Sequence, residues 1–74
     1  MSNPGYTKEL IERNFTYHPP KGNQQARYVA LREKGKELAE VILEFTPASP
    51  EQTLAIRKVE EAIMMANAGI ARNE

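Results

Sequence analysis

The sequence predicts an all-α fold: a short N-terminal helix followed by an antiparallel two-helix hairpin. Three observations predict it. Apolar residues recur at spacings of three and four along two long stretches. A brief break, Thr46-Pro47-Ala48-Ser49-Pro50, separates those stretches and leaves room only for a reversal of the chain. No segment carries a strand pattern, a repeat or a low-complexity tract.

The first helix is expected over residues 6–13. Tyr6 and Leu10 stand one turn apart, flanked by Ile11 and Asn14. So short a helix does not persist alone and must dock. Residues 14–24 form a loop, with a second turn signal at Gly22-Asn23. From Gln25 to Phe45 the pattern is helical, and Tyr28, Leu31, Leu38, Val41, Ile42 and Phe45 supply its apolar stripe. Gly35 sits where the stripe should continue. A mid-helix glycine costs about 1 kcal/mol relative to alanine, so a close approach of another backbone or a ligand is expected there. Ser49 as N-cap, Pro50 at N1 and Gln52 at N3 then open the last helix, which runs to about Ala71. Ile56, Val59, Ile63, Ala66 and Ile70 form its stripe, spaced three, four, three, four.

Seventy-four residues make one domain, 1–74, with residues 1–5 expected to be flexible. A chain of this size buries only about 60% of its unfolded surface and is marginal alone. It has no cysteine and a single histidine, which excludes disulfides, thiolate metal sites and His-rich metal sites. Self-association is the remaining source of stabilisation. The end of the last helix points the same way. Residues 62–71 are apolar nearly all the way round, interrupted by Asn67, and one partner helix covers one face only. Ala62, Ala66, Ala68 and Gly69 are small enough for copies of the helix to approach.

Ten basic and ten acidic residues cancel, which argues against a binder of DNA or RNA polymers. No apolar run reaches the length of a membrane span, and the N-terminus lacks the pattern of a signal peptide. The expected compartment is the cytosol.

The most informative segment is Asn14-Phe15-Thr16-Tyr17-His18-Pro19-Pro20-Lys21. Each proline drives the residue before it toward extended geometry, so Tyr17 and His18 ride on a stiff loop. An aromatic face beside basic groups can stack a nucleobase and pair with a phosphate. The plainer alternative is that Phe15 and Tyr17 staple the loop to the helices. Basic residues follow at once: Lys21, Arg27, Arg32, Lys34 and Lys36, opposed locally by Glu33. Tyr28, Arg32 and Lys36 succeed one another at one-turn intervals. A solvated surface with pairs such as Lys36 and Glu40 is the alternative here.

Catalysis is poorly supported. Ser2 is terminal, and Ser49 is occupied by capping. Glu60 and Glu61 are adjacent, so they point about 100° apart on a helix and form no facing pair. There is no phosphate-cradling glycine loop, and His18 beside two prolines suits packing or hydrogen bonding better than base chemistry.

The block from Asn14 to Lys21, then Leu31-Arg32 with Leu38-Ala39, then Glu60-Glu61-Ala62 followed by Ala66-Asn67-Ala68 and Ile70-Ala71-Arg72, resembles the phage anti-CBASS sponge family over residues 13–72. Those small phage proteins sequester cyclic oligonucleotide signals of bacterial immunity. The resemblance implies a hairpin assembled into a compact homo-oligomer, a hexamer, acting in the host cell cytoplasm. It implies binding, without cleavage and without cofactor or metal, of cyclic dinucleotides such as cGAMP and of cyclic trinucleotides at separate sites. By motif, Tyr17 would stack a base and Arg32 would contact phosphate, with Pro19 and Lys21 beside them. Arg72 and Lys34 would lie near the trinucleotide site. The chain departs from the family pattern at Gly22-Asn23-Gln24-Gln25, where a more proline-rich turn is usual, and at Met65, where an aromatic is often found.

Two other classes compete with this expectation. A helical adaptor would bind a protein through the apolar last helix and would have no use for the Tyr17 loop. A helix-turn-helix DNA binder would need a basic recognition helix. The last helix instead sets Arg57, Lys58 and Arg72 against Glu60 and Glu61.

Overall fold

In the computed structural model, which describes residues 5–74, three helices follow in order: α1 (Lys8–Phe15), α2 (Gln24–Phe45) and α3 (Pro50–Asn73). Residues 1–4 of the expected flexible segment lie outside the described residues. Helices α2 and α3 are joined by four residues and run antiparallel. Contacts between Gln24 and Glu74, Gly35 and Ile63, and Thr46 and Gln52 step along the two helices in opposite senses.

Helix α1 starts and ends two residues later than its apolar pattern suggests. Thr7 is the reason at the start: its hydroxyl accepts from the Leu10 amide at 3.1 Å, an N-cap that holds the preceding Tyr6 out of the helix. At the other end Asn14 and Phe15 stay helical, and Thr16 closes the helix by donating its hydroxyl to the Glu12 carbonyl at 2.5 Å. The loop is therefore Thr16–Asn23, shorter than expected. Gly22 sits at φ 58°, the left-handed turn conformation that glycine adopts without steric cost.

The hairpin turn forms as expected at one end and differently at the other. Ser49 accepts from the Gln52 amide at 3.1 Å, with Pro50 in the first turn. The Gln52 side chain does not return to Ser49. Its Nε2 donates to the carbonyl of Thr46 at 2.9 Å and of Leu43 at 3.3 Å. The last carbonyls of α2 lack helical partners, and the amide group of Gln52 supplies a donor for them. One residue thus caps the end of one helix from the start of the next.

Gly35 does mark a close approach, but the neighbour is a side chain, that of Ile63 in α3, and not a backbone or a ligand. A Cβ placed on Gly35 would stand 2.5 Å from Ile63 Cγ1 and 2.9 Å from its Cδ1. This contact sets which α2 residues face α3. Tyr28, Leu31, Ala39 and Ile42 are half-buried, whereas Leu38, Val41 and Phe45, expected in the stripe, are exposed. Leu38 still lines a groove with Val59 and Ile63 of α3, but one partner helix leaves it half uncovered. On α3 the expected stripe holds: Ile56, Val59, Ile63, Ala66 and Ile70 are all half-buried.

Among the described residues no apolar side chain is fully buried, and the buried positions are Gln24 and Gly35. The radius of gyration is 15.7 Å. A compact domain of this length would have about 11 Å. A single chain of this shape builds two sides of a core and leaves it open.

Candidate functional site

The loop and the open end of the hairpin build the site together. Thr16 ends α1, the two prolines keep residues 17–20 extended, and Gly22-Asn23 turn the chain into α2. His18 fastens this path. Its Nε2 lies 2.7 Å from the Arg13 carbonyl, which can only accept, so Nε2 carries the proton and donates. The histidine is thus a structural hydrogen-bonding residue that folds the loop back on α1.

Tyr17 and Arg32 line one concavity of about 340 Å3, with Tyr28 from α2 and Asn67, Ala68 and Ala71 from α3. Tyr17 and Arg32 stand fifteen positions apart in sequence; folding the loop over the start of α2 joins them. Tyr17 is 80% exposed, so its ring is offered to whatever enters. Small residues at 68 and 71 keep the α3 wall low, and the Asn67 Oδ1 is buried there with no hydrogen-bond partner in the chain. Arg32 also borders the adjoining groove of about 480 Å3 between α2 and α3, so its side chain stands at the junction of the two depressions.

Pro19 and Lys21 line a neighbouring concavity of about 170 Å3, with His18, Gln24, Ala71 and Glu74. Gln24 and Glu74 join this concavity to a polar cluster. Arg27 donates from Nη2 and Nη1 to Glu74 Oε1 and Oε2, at 2.5 and 2.9 Å, and from Nε to Asn23 Oδ1 at 3.1 Å. Hydrogen bonds from Arg27 and then from Gln24, with the charges of Arg27 and Lys21 nearby, hold the Glu74 carboxyl down to about 2. The same pairing with Glu74 raises the Arg27 guanidinium above its ordinary value.

Lys34 and Arg72 are not brought together within one chain. Lys34 is exposed, its Nζ 3.4 Å from Glu37 Oε1, and it lines a groove on the hairpin beside Lys58, Val59 and Ala62. Arg72 is half-buried in the last turn of α3. The level of Ile63, opposite Gly35, lies nine residues from Arg72, roughly 13 Å along the helix.

Sequence reasoning treated Tyr28 as a stripe residue and Asn67 as an interruption. Both line the concavity. The signal for Tyr28 was its one-turn spacing from Arg32. For Asn67 it was a lone polar residue in an apolar segment. Among the described residues no His, Cys, Asp and Glu cluster could hold a metal ion.

A hairpin with a short N-terminal helix, an aromatic-basic concavity under a diproline loop and an open core also has a counterpart among known families. The model of the Acb2/Tad1 hairpin domain matches residues 7–71. The chain belongs to this family. The Acb2/Tad1 hairpin is the anti-CBASS sponge family, a sponge-type binding domain, and the match begins at the Thr7 cap and covers all of α1, the loop, α2 and most of α3. Tyr17, Pro19, Lys21, Arg32 and Lys34 fall inside the Acb2/Tad1 match, whereas Arg72 stands one residue beyond it. Neither a curated protein nor a solved structure matches the chain significantly.

Proposed function

We propose that this protein sequesters cyclic di- and trinucleotide second messengers without cleaving them, and so blocks CBASS immunity in the cytoplasm of the infected host. The observation that carries the proposal is the concavity shared by Tyr17, Tyr28 and Arg32 in a chain of the Acb2/Tad1 hairpin family. A tyrosine face stacks a base, and a guanidinium pairs with a phosphate in charge-assisted geometry. Pro19 and Lys21, in the adjoining concavity, extend the dinucleotide surface. Lys34 and Arg72 serve the trinucleotide at a second site between copies. Pockets for ligands of this size are closed on most sides. A single hairpin leaves Tyr17 open, so the remaining walls come from further copies in a homo-oligomer, a hexamer. The unpartnered apolar residues of α2 and α3 supply the surface for that assembly. Sequestration needs no nucleophile, metal or acid-base pair, in keeping with the residues at hand.

Calorimetric titration with a cyclic dinucleotide and a cyclic trinucleotide tests the proposal, followed by heat denaturation and chromatography of the released ligand. Intact ligand is expected in both cases. Tyr17→Ala removes a stacking face worth about 1–3 kcal/mol per base, and Arg32→Ala a phosphate contact of about 1.5–3 kcal/mol. Each should weaken the dinucleotide about tenfold to a hundredfold. Arg72→Ala should weaken the trinucleotide and spare the dinucleotide. A linear product, or equal loss of both ligands in every variant, would contradict the proposal. No binding of either ligand would favour the helical adaptor instead.

A further inference from the structure

The two helix ends that flank the ligand loop are fastened to Asn73, the last residue of α3, and to Glu74 after it. On the side of α1, Arg13 Nη1 donates to Asn73 Oδ1 at 3.3 Å, while the Arg13 carbonyl receives the His18 hydrogen bond. Asn73 is itself fixed, since its Nδ2 donates to the Gly69 carbonyl at 2.9 Å. On the side of α2, Glu74 accepts from both Arg27 nitrogens and, at 3.4 Å, from Gln24 Nε2. The Gln24 Oε1 then accepts the Lys21 backbone amide at 3.1 Å. A relay thus runs from Glu74 through Gln24 into the backbone of the loop.

Gln24 is 4% exposed, the one buried polar side chain among the described residues. A buried amide must have its hydrogen bonds made, or its desolvation is uncompensated. Both ends of this amide are used, one on Glu74 and one on Lys21. The side-chain orientation that receives the Lys21 amide is therefore the one that Glu74 selects. Pro19 and Pro20 stiffen the middle of the loop but leave its two ends as hinges. Asn73 and Glu74 hold the helix turns next to those hinges: Arg13 in the last turn of α1, and Gln24 and Arg27 in the first turn of α2. They lie far along the helices from the Gly35–Ile63 contact that holds the hairpin closed.

We infer that Asn73 and Glu74 are positioning residues for the ligand loop, acting through Arg13 on one side and through Gln24 and Arg27 on the other. They hold Tyr17, Pro19 and Lys21 in place before a ligand arrives. Less ordering then remains to be done on binding, which is how preorganisation raises affinity. The hydrogen bonds from Arg27 and Gln24, which hold the Glu74 carboxyl to about 2, keep this arrangement charged well into the acid range.

Amide hydrogen exchange by NMR on the unliganded full chain tests this directly, with Asn73→Ala, Glu74→Ala and the conservative Glu74→Gln. The Arg27–Glu74 pair is partly solvated, at 39% and 43% exposure. In Glu74→Ala the Lys21 amide should exchange about two- to fivefold faster, the range for one such pair. Asn73→Ala should do the same at the His18 ring N–H, which donates to the Arg13 carbonyl. The Gly35 and Ile63 amides should keep their rates. Glu74→Gln, which retains an acceptor for Gln24, should fall between. Unchanged exchange at Lys21, or equal acceleration at Gly35 and Ile63, would overturn the inference. A binding arm, which rests on the proposed ligand class, uses a cyclic dinucleotide: its affinity should fall by a similar factor. Faster exchange with undiminished affinity would overturn the positioning role. If the unmodified protein binds no dinucleotide, the proposed function fails, and the exchange rates alone still decide whether these residues hold the loop.

Discussion

Gly35→Ala should destabilise this protein even though alanine is the better helix former. The propensity gain is about 1 kcal/mol in a helix interior. Against it stands Ile63, whose Cγ1 and Cδ1 would lie 2.5 and 2.9 Å from the new Cβ. The Cδ1 end can swing away. The Cγ1 moves only if the β-branched side chain leaves its preferred rotamer or the helices separate. Overpacking of this kind typically costs about 1–3 kcal/mol. The net loss is therefore up to about 2 kcal/mol, with Tm falling by about 4–8 °C for each kcal/mol in a chain of this size. Thermal and urea melts followed by far-UV circular dichroism, at one fixed protein concentration, provide the assay. A second variant isolates the cause. Ile63→Ala removes both crowding atoms, so on that background Gly35→Ala should recover its propensity gain of about 1 kcal/mol. The difference between the two backgrounds is the coupling energy of the pair. A Tm raised by Gly35→Ala in the unmodified background, or the same effect on both backgrounds, would refute the close packing of α2 on α3.

Two further outcomes are expected. Met65 is 63% exposed on an apolar stretch of α3, so Met65→Glu should lower the solution mass while leaving a single chain's helical contacts in place; light scattering showing a monomer for the unmodified protein at micromolar concentration would refute assembly through residues 62–71. The Glu74 carboxyl ordinarily titrates at 4.5 and is held to about 2 in the fold, so the unfolded chain takes up the proton first as pH falls. Its stabilising contribution is complete above pH 4.5 and is lost as pH falls through about 2. The stability difference between the unmodified protein and Glu74→Gln, measured by melts across that range, should shrink accordingly; a difference that stays constant down to pH 2 would refute the pairing with Arg27 and Gln24.

The local parts of the fold were legible because their causes are local. Ser49 and Pro50 start α3 through backbone groups three residues away, and the 3.6-residue period shows which α3 residues share a face. Thr7 was an equally local cap, and its position before Lys8 explains why α1 begins later than the apolar spacing alone suggests. Gly35 announced a close approach by its cost in a helix, without naming the neighbour. The site was legible in the same degree. The aromatic-basic character of residues 14–21 and the one-turn spacing of Tyr28 and Arg32 marked elements that line the concavity.

The sequence by itself determined three helices, their breaks, the stiff loop and the shortage of core, since each follows from neighbours within a turn or from composition. The tertiary structure decided what meets what. It left Leu38, Val41 and Phe45 exposed, because a single partner helix covers only part of α2. It brought Tyr17 and Arg32 into one concavity with Asn67, and it set Glu74 on Arg27 and Gln24, residues 47 and 50 positions away. Such contacts depend on the rotation and crossing of two helices about their axes. A helical period fixes each face relative to its own axis, and only packing fixes one axis relative to another.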